Sequence, residues 1–359
     1  MKSVAIITAS PQNSGIAVGD YQLSVALGEL GYSVRWYQCL DRGQRPYLPT
    51  VGAVVHGANL PVATIDMAVN RLWSFPRKLR DVSEDIRFLS DPSLIRAGSG
   101  YPVTVARVYD LRPLSAYADR VATRLTFQYA IPRLRNLARV IVATHAAARG
   151  LVEYGVSPAC LRTVPETTDL GYHPEHRKES MERITATGNI RFLCISTDRS
   201  WKNIELVIRL AAGTKNRQKG PDYRFTLVSR LGPKNQRLVR QLGAQNLTVL
   251  AGVPSVGSLY RDHDVLLFPS LFEGFGRPLI EAMAFGMPIL AYRTPSAEEV
   301  LGEAGVLMES KRWEDWSEAI DSIGDLETFS ELALKSLARS RAFSPDGFRT
   351  AVRNAFDGL

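Results

Sequence analysis

Cysteine is scarce in this 359-residue chain: Cys39, Cys160 and Cys194 lie far apart and form no CxxC pair. That excludes a paired-thiolate metal site and points to reduced thiols in a reducing compartment. The five histidines show no ligand spacing, so no catalytic metal is expected. No run approaches roughly 18 apolar residues, which excludes a spanning helix of ordinary length. The opening MKSVAIITAS has too short an apolar run for a signal segment, and a turn-rich stretch follows it at once. A cytoplasmic location is therefore expected, with a peripheral contact at the inner membrane face left open. No internal repeat of roughly 20–50 residues and no low-complexity tract is visible.

What is present is an ordinary globular composition, 45% hydrophobic and 22% charged, in a chain long enough for two cores. The net charge of +8 favours anionic partners, whether phosphorylated substrate, membrane face or nucleic acid. Nucleic acid is not expected, because stacking aromatics are not interleaved with basic residues along one sheet. Two arginine-rich stretches, 75–89 and 118–140, read as helical. They suit contact with an anionic membrane or a phosphorylated acceptor, and equally the solvated faces of core-packed helices.

Short apolar runs alternate with helix-length amphipathic segments. SVAIIT (3–8), a helix over 19–32 closed by Gly31, and SVRWYQCL (33–40) make a β-α-β unit, hence a parallel sheet with a right-handed crossover. The pattern returns with strands at 139–144, 190–196, 223–229, 247–253, 264–270 and 288–293 and helices at 145–155, 203–215 and 278–285. The stretch 171–189 is polar and charged and reads as a linker. The expected organisation is an N-terminal Rossmann-like domain over 1–172 and a C-terminal Rossmann-like domain over 173–342. A final helix over 343–359 is expected to pack back on the first domain. Two doubly wound α/β domains facing one another would form a cleft, with ligands beyond the carboxyl ends of the strands.

The most informative stretch is PSLFEGFGRPLIEAMAFG (269–286), directly after the apolar run DVLLF. Pro278 suits the first turn of a helix, where its missing N–H costs nothing. Gly274 and Gly276 let the backbone approach a ligand, and the free N–H groups of a helix start favour a phosphate. Glu273 before the glycines and Glu281 one turn into the helix supply acceptors that sugar hydroxyls need. The bland alternative is a tight turn with a capping acid. Lys202, with Arg199, follows the strand ending at Ser196 and would face the same ligand, where fixed cations suit an anion such as a phosphate. A surface basic pair is the alternative. RDHD (261–264) has the form of a metal-diphosphate motif, but it precedes its strand, at the end away from the ligand, so Asp262 and Asp264 are read as structural.

The segment FPSLFEGFGRPLIEAMAFGMPILAY with SAEEVLGEAGVLM resembles the nucleotide-sugar signature of family 4 retaining glycosyltransferases, enzymes of the GT-B fold. The acid–seven residues–acid motif is matched by Glu273 and Glu281. GNIRFLCISTDRSWKNIELVIRLAA is similar to the family's strand, basic loop and helix, and NLTVLAGVPSVGSLYRDHDVLLFPS, with Val253, to its base-binding region. NSGIAVGDYQLSVALGELGYSVRWY resembles its glycine loop, with Ser14 and Gly15 where two glycines are usual. The resemblance is strong over 190–309 and looser over 1–170.

It implies transfer of a hexose or pentose from a UDP- or GDP-sugar to a glycan, lipid or small-molecule acceptor, with retention and without a metal or other cofactor. Glu281 would bind the ribose and Glu273 the transferred sugar. Backbone N–H groups near Gly274, Phe275 and Gly276 would meet the diphosphate. Lys202 and Arg199 would neutralise it, Gly15 would approach donor or acceptor, and Arg277 stands where an aliphatic residue is usual. Arg199 and Lys202 are closer together than the family's usual pair. Tyr109-Asp110 occupies the place of a His-Asp pair, Thr167 or Thr168 and Ser229 stand where glycines are usual, and these departures leave the sugar open. They also leave room for a catalytically weak sugar-nucleotide-binding protein.

Overall fold

The structure, a computed structural model, describes residues 1–9, 15–41, 44, 52–61, 63–118, 121–215, 221–253 and 255–359. Ser14 of the glycine loop and positions 119–120 lie outside the described residues. Two units divide the chain, residues 1–167 with 345–359 and residues 168–344. Among the described residues no helix is long and apolar enough to cross a membrane.

In the first unit, apolar runs of alternating facing build a seven-stranded, wholly parallel sheet. The elements run β1 (Ser3–Thr8), α1 (Gly15–Glu29), β2 (Ser33–Leu40), β3 (Gly52–His56), α2 (Ala63–Val69), α3 (Phe75–Lys78), β4 (Ile86–Leu89), β5 (Thr104–Val108), α4 (Val121–Ala130), β6 (Arg139–Val142), α5 (His145–Glu153) and β7 (Leu161–Thr163). The strand order is β3-β2-β1-β4-β5-β6-β7. Because successive side chains in a strand point to opposite faces, Ala5 and Ile7 enter one core while Val4 and Ile6 enter the other. The first core adds Phe75, Leu94, Phe127, Leu134 and Leu151. The second adds Leu23 and Leu27 of α1.

The stretch 75–89 is not one helix. It contains α3 and then β4, a central strand whose four residues are all buried. Its single arginine, Arg87, obscured a strand only four residues long. The stretch 118–140 holds α4, a 3₁₀ segment over Ile131–Asn136 and the start of β6.

The second unit repeats the plan. Its elements are α6 (Glu175–Thr187), β8 (Asn189–Ile195), α7 (Ile204–Thr214), β9 (Asp222–Val228), α8 (Pro233–Leu242), β10 (Leu247–Leu250), α9 (Gly257–Asp262), β11 (Val265–Phe268), α10 (Arg277–Ala284), β12 (Ile289–Tyr292), α11 (Pro295–Leu301), β13 (Val306–Met308), α12 (Trp313–Ile323) and α13 (Leu326–Ser340). The parallel order β10-β9-β8-β11-β12-β13 is the doubly wound one. Phe192, Phe225, Leu227, Val265 and Leu267 pack one face of this sheet against Val207 of α7, Trp316 of α12 and Phe329 of α13.

The polar stretch 171–189 is no linker. It forms α6, which belongs to the second unit. Only His176, Ser180 and Ile184 are buried, a stripe spaced by four, and His176 Nδ1 bonds the Phe285 carbonyl at 3.0 Å. A stripe that narrow and that polar leaves the charged face to dominate the composition.

After the second unit the chain returns to the first as α14 (Pro345–Phe356), whose Phe348, Val352, Ala355 and Phe356 join the core beneath α1.

Candidate functional site

β8 and β11 are neighbours at the place where strand order reverses, so the loops leaving their carboxyl ends emerge side by side. In a doubly wound sheet this is where ligands bind. The Leu271 N–H donates to the Trp201 carbonyl at 2.7 Å and ties the two loops together. After β8 the chain makes a 3₁₀ turn over Ser200–Lys202, which Asn203 ends in a left-handed conformation with φ 50°. Asparagine tolerates that region better than most side chains. The turn aims Lys202 Nζ at Glu273 Oε1, and the two form an ion pair. Ser296 of α11 holds the acidic loop from the other side, donating to the Glu273 carbonyl at 2.7 Å.

Gly276 is the hinge of that loop. It has φ 96°, and a Cβ there would stand 3.0 Å from Leu279 Cδ1 and 3.1 Å from Phe268 Cζ. Its role is conformational, fixing the angle at which α10 leaves the sheet. Phe275 turns inward and packs edge-on against Phe343, ring centroids 5.7 Å apart, so only its backbone can face a ligand.

Glu281, one turn into α10, does not share a cation with Glu273. It accepts from the Tyr260 hydroxyl at 2.7 Å and lies 3.7 Å from Arg277 Nε. Burial pushes the Glu281 carboxyl up, and Arg277 and the Tyr260 hydroxyl pull the other way. Arg277 thus has its place, on the same helix and one turn before the acid. Arg199 is exposed at the start of the 3₁₀ turn, and Val253 is half-buried after β10.

Tyr260 and Asp198 escaped sequence reading. Asp198 accepts from the Gly232 N–H at 2.6 Å and from Asn235 Nδ2 at 2.7 Å, pinning the β8 loop to the start of α8. Both residues act on partners more than 20 positions away, and no local pattern announces such a contact. Asp264, by contrast, sits at the amino end of β11, where it accepts from the Arg191 N–H at 2.8 Å and pairs with Arg183. Among the described residues no three His, Cys, Asp or Glu side chains converge as a metal site.

The remaining candidates lie in the first unit. Gly15 opens α1 and is exposed. Asp110 accepts from the Arg112 N–H at 3.0 Å, just ahead of a short 3₁₀ turn. The Tyr109 hydroxyl reaches two acceptors, the Ile16 carbonyl and Asp20 Oδ1, each at 3.0 Å. Beneath it Arg107 pairs with Glu166, and its guanidinium lies 4.6 Å from the Tyr109 ring centre. Asp20, Arg107 and Glu166 are all buried. Burial pushes Asp20 up to about 7 against the opposing pull of Arg107 and Tyr109. This cluster was also missed: its acid falls mid-helix and its arginine mid-strand, positions that read as ordinary pattern breaks.

Residues 176–337 match the family model of glycosyl transferases group 1. The match falls within the second unit and takes in both the β8 and the β11 loops. A D-inositol 3-phosphate glycosyltransferase from Pseudarthrobacter chlorophenolicus is 26% identical over 60% of this chain and 54% of its own length. An MMP alpha-(1->4)-mannosyltransferase from Mycolicibacterium hassiacum is 28% identical over 48% of this chain and 41% of its own. The chain thus spans about half the length of the curated relatives it matches. The crystal structure of Anabaena HepE in complex with UDP and glucose superposes over 100% of both chains with a TM-score of 0.78 at 14% identity. That likeness is one of fold, and the fold is GT-B: two Rossmann-like parallel sheets.

Proposed function

We propose that this protein transfers a hexose or pentose from a nucleoside-diphosphate-sugar, UDP- or GDP-linked, to an acceptor hydroxyl with retention and without a metal. The observation that carries the reading is the pairing of Lys202 with Glu273 at the carboxyl ends of β8 and β11, with Glu281 one turn into α10. The relatives' names and the UDP-bound GT-B neighbour support it.

Glu281 holds the ribose hydroxyls, and Tyr260 and Arg277 keep its carboxylate in place. Glu273 accepts from hydroxyls of the transferred sugar. Lys202 and Arg199 meet the diphosphate; Lys202 then divides its donors between Glu273 and phosphate, which draws sugar and leaving group into one geometry. The bond from the anomeric carbon to the phosphate oxygen breaks, the acceptor oxygen bonds to that carbon on the same face, and its proton passes to the departing diphosphate. Charge grows on that diphosphate as the bond breaks, so the fixed ammonium of Lys202 binds the transition state more tightly than the ground state. The acceptor is a glycan, a lipid or a small molecule.

A second reading, donor binding with little turnover, is favoured by the Tyr109 hydroxyl being engaged with Asp20 and Ile16. One experiment separates them. Thermal shift with UDP-, GDP- and TDP-sugars identifies the donor, and product formation with candidate acceptors follows, with and without EDTA. Glu281→Ala is expected to weaken donor binding about tenfold or more, the worth of a hydrogen bond to a charged group, and Glu273→Ala to lower turnover with less effect on affinity. Stabilisation by no donor overturns the proposal; stabilisation without product leaves the binding reading; loss of product with EDTA overturns metal independence.

A further inference from the structure

A second charged hollow lies in the first unit, at the opposite end of its sheet from Gly15 and Tyr109. It sits where the chain enters β4 and β5, at the amino ends of those strands. Trp73, Arg77, Arg80, Arg87, Arg96 and Tyr101 line most of it, and its volume is about 460 Å³.

Arg87 forms its floor. This arginine is 4% exposed and held rigidly, donating to the Ala97 carbonyl at 2.7 Å and the Val82 carbonyl at 3.0 Å, with its guanidinium 3.9 Å from the Tyr101 ring centre. Its Nε is buried and has no hydrogen-bond partner. Arg77, Arg80 and Arg96 are exposed around it, and among the described residues none of the three is ion-paired. Of the neighbouring acids Asp81 is exposed, and two are engaged elsewhere. Glu84 accepts from the Tyr37 hydroxyl at 3.0 Å and pairs with Arg35, and Asp85 accepts from Ser3. Trp73 is 55% exposed and offers a flat apolar wall beside the guanidinium groups.

Four guanidinium groups around one hollow repel each other unless an anion joins them, and planar guanidinium forks match phosphate oxygens two at a time. A hollow of this size holds a diphosphate together with part of the molecule that carries it. We propose that this groove is an anion site separate from the donor site, taking a phosphate or diphosphate group borne by a soluble molecule or by a lipid headgroup. The three outer arginines close on the phosphate oxygens while Arg87 and Tyr101 hold the floor, and Trp73 covers the attached moiety. The inference does not depend on the proposed transfer reaction, since no residue of the second unit takes part.

The test uses the full chain with two probes. Pyrophosphate is titrated calorimetrically, and vesicles of phosphatidylglycerol or of phosphatidylcholine are co-sedimented with the protein. Wild type is compared with the double variant Arg77→Gln, Arg96→Gln and, separately, with Lys202→Gln. The double variant is expected to bind one probe about tenfold or more weakly, as loss of charge-assisted bonds requires, while Lys202→Gln retains that binding. Loss for pyrophosphate identifies a soluble phosphate ligand; loss for phosphatidylglycerol vesicles alone identifies a lipid source. Both arginines are exposed, so the fold is expected to survive, and Arg80→Gln with a matched melting curve serves as a second variant. Equal binding by wild type and the arginine variants, loss that follows only Lys202→Gln, or no binding of either probe overturns the proposal.

Discussion

Each of the two acids that mark the proposed donor loop has its own cation: Lys202 for Glu273 and Arg277 for Glu281. The acids themselves were legible because their spacing around two glycines and a proline is local. The groups that hold them were not, since Tyr260 reaches Glu281 from 21 positions away and Ser296 reaches Glu273 from 23. Asp20 shows the same limit more sharply. It is buried, it faces Thr8, Ser90, Arg107, Tyr109 and Glu166, and burial lifts it from 3.8 to about 7. Between those two values the folded chain keeps a proton that the unfolded chain has released. Stability contributed by this group therefore falls as pH rises from about 4 to about 7 and is level above that. Asp20→Asn is expected to remove this slope, a difference of a few kcal/mol across the window. Urea midpoints of both proteins measured from pH 4 to 8 check it, and parallel pH profiles would show that Asp20 is ionised in the folded state throughout.

The elements were legible where apolar runs were long or closed by glycine. α1 and its neighbours β1 and β2 fall within a few residues of the sequence-based reading. β4 was hidden because a strand of four residues carrying an arginine has no periodicity to detect, and α6 because its buried stripe includes a histidine and a serine. The loop between β11 and α10 illustrates how a correct location can carry a different physical reason. Gly276 reads as a gap for a ligand, yet its left-handed backbone and the nearness of Leu279 and Phe268 demand a glycine before any ligand arrives. Gly276→Ala is expected to cost on the order of 1–3 kcal/mol, the toll of a side chain in that backbone region, and to weaken donor binding by shifting the start of α10. Chemical denaturation measures the first effect and donor titration the second. An alanine variant with wild-type stability would mean that the loop relaxes freely.

At the scale of the molecule, one strand order is used in both sheets, and in the second the candidate loops leave the strand pair where that order reverses. Parallel connectivity and the carboxyl-end rule made this plan accessible from sequence. What sequence left hidden was which side chains of the last fifteen residues complete the first unit, because an amphipathic pattern marks a face and not the residues it meets. α14 supplies Phe348, Val352, Ala355 and Phe356 to the core beneath α1, with Phe356 against Tyr32 and Phe88 at ring distances of 6.0 and 6.4 Å. Each large apolar side chain buried there contributes roughly 1.5–3 kcal/mol, so three of them approach the whole stability of an ordinary domain, about 5–15 kcal/mol. Removing residues 345–359 is therefore expected to unfold or soften the first unit while the second stays folded. Hydrogen exchange distinguishes the two: amides of β1 and β2 should lose protection and those of β8 and β9 should keep it. Phe348→Ala, a milder change, should lower the first unit's stability in the same sense by about 3–5 kcal/mol, the usual range for a buried phenylalanine. Unchanged protection of β1 and β2 after truncation would show that the first sheet and α1 close their core without this helix.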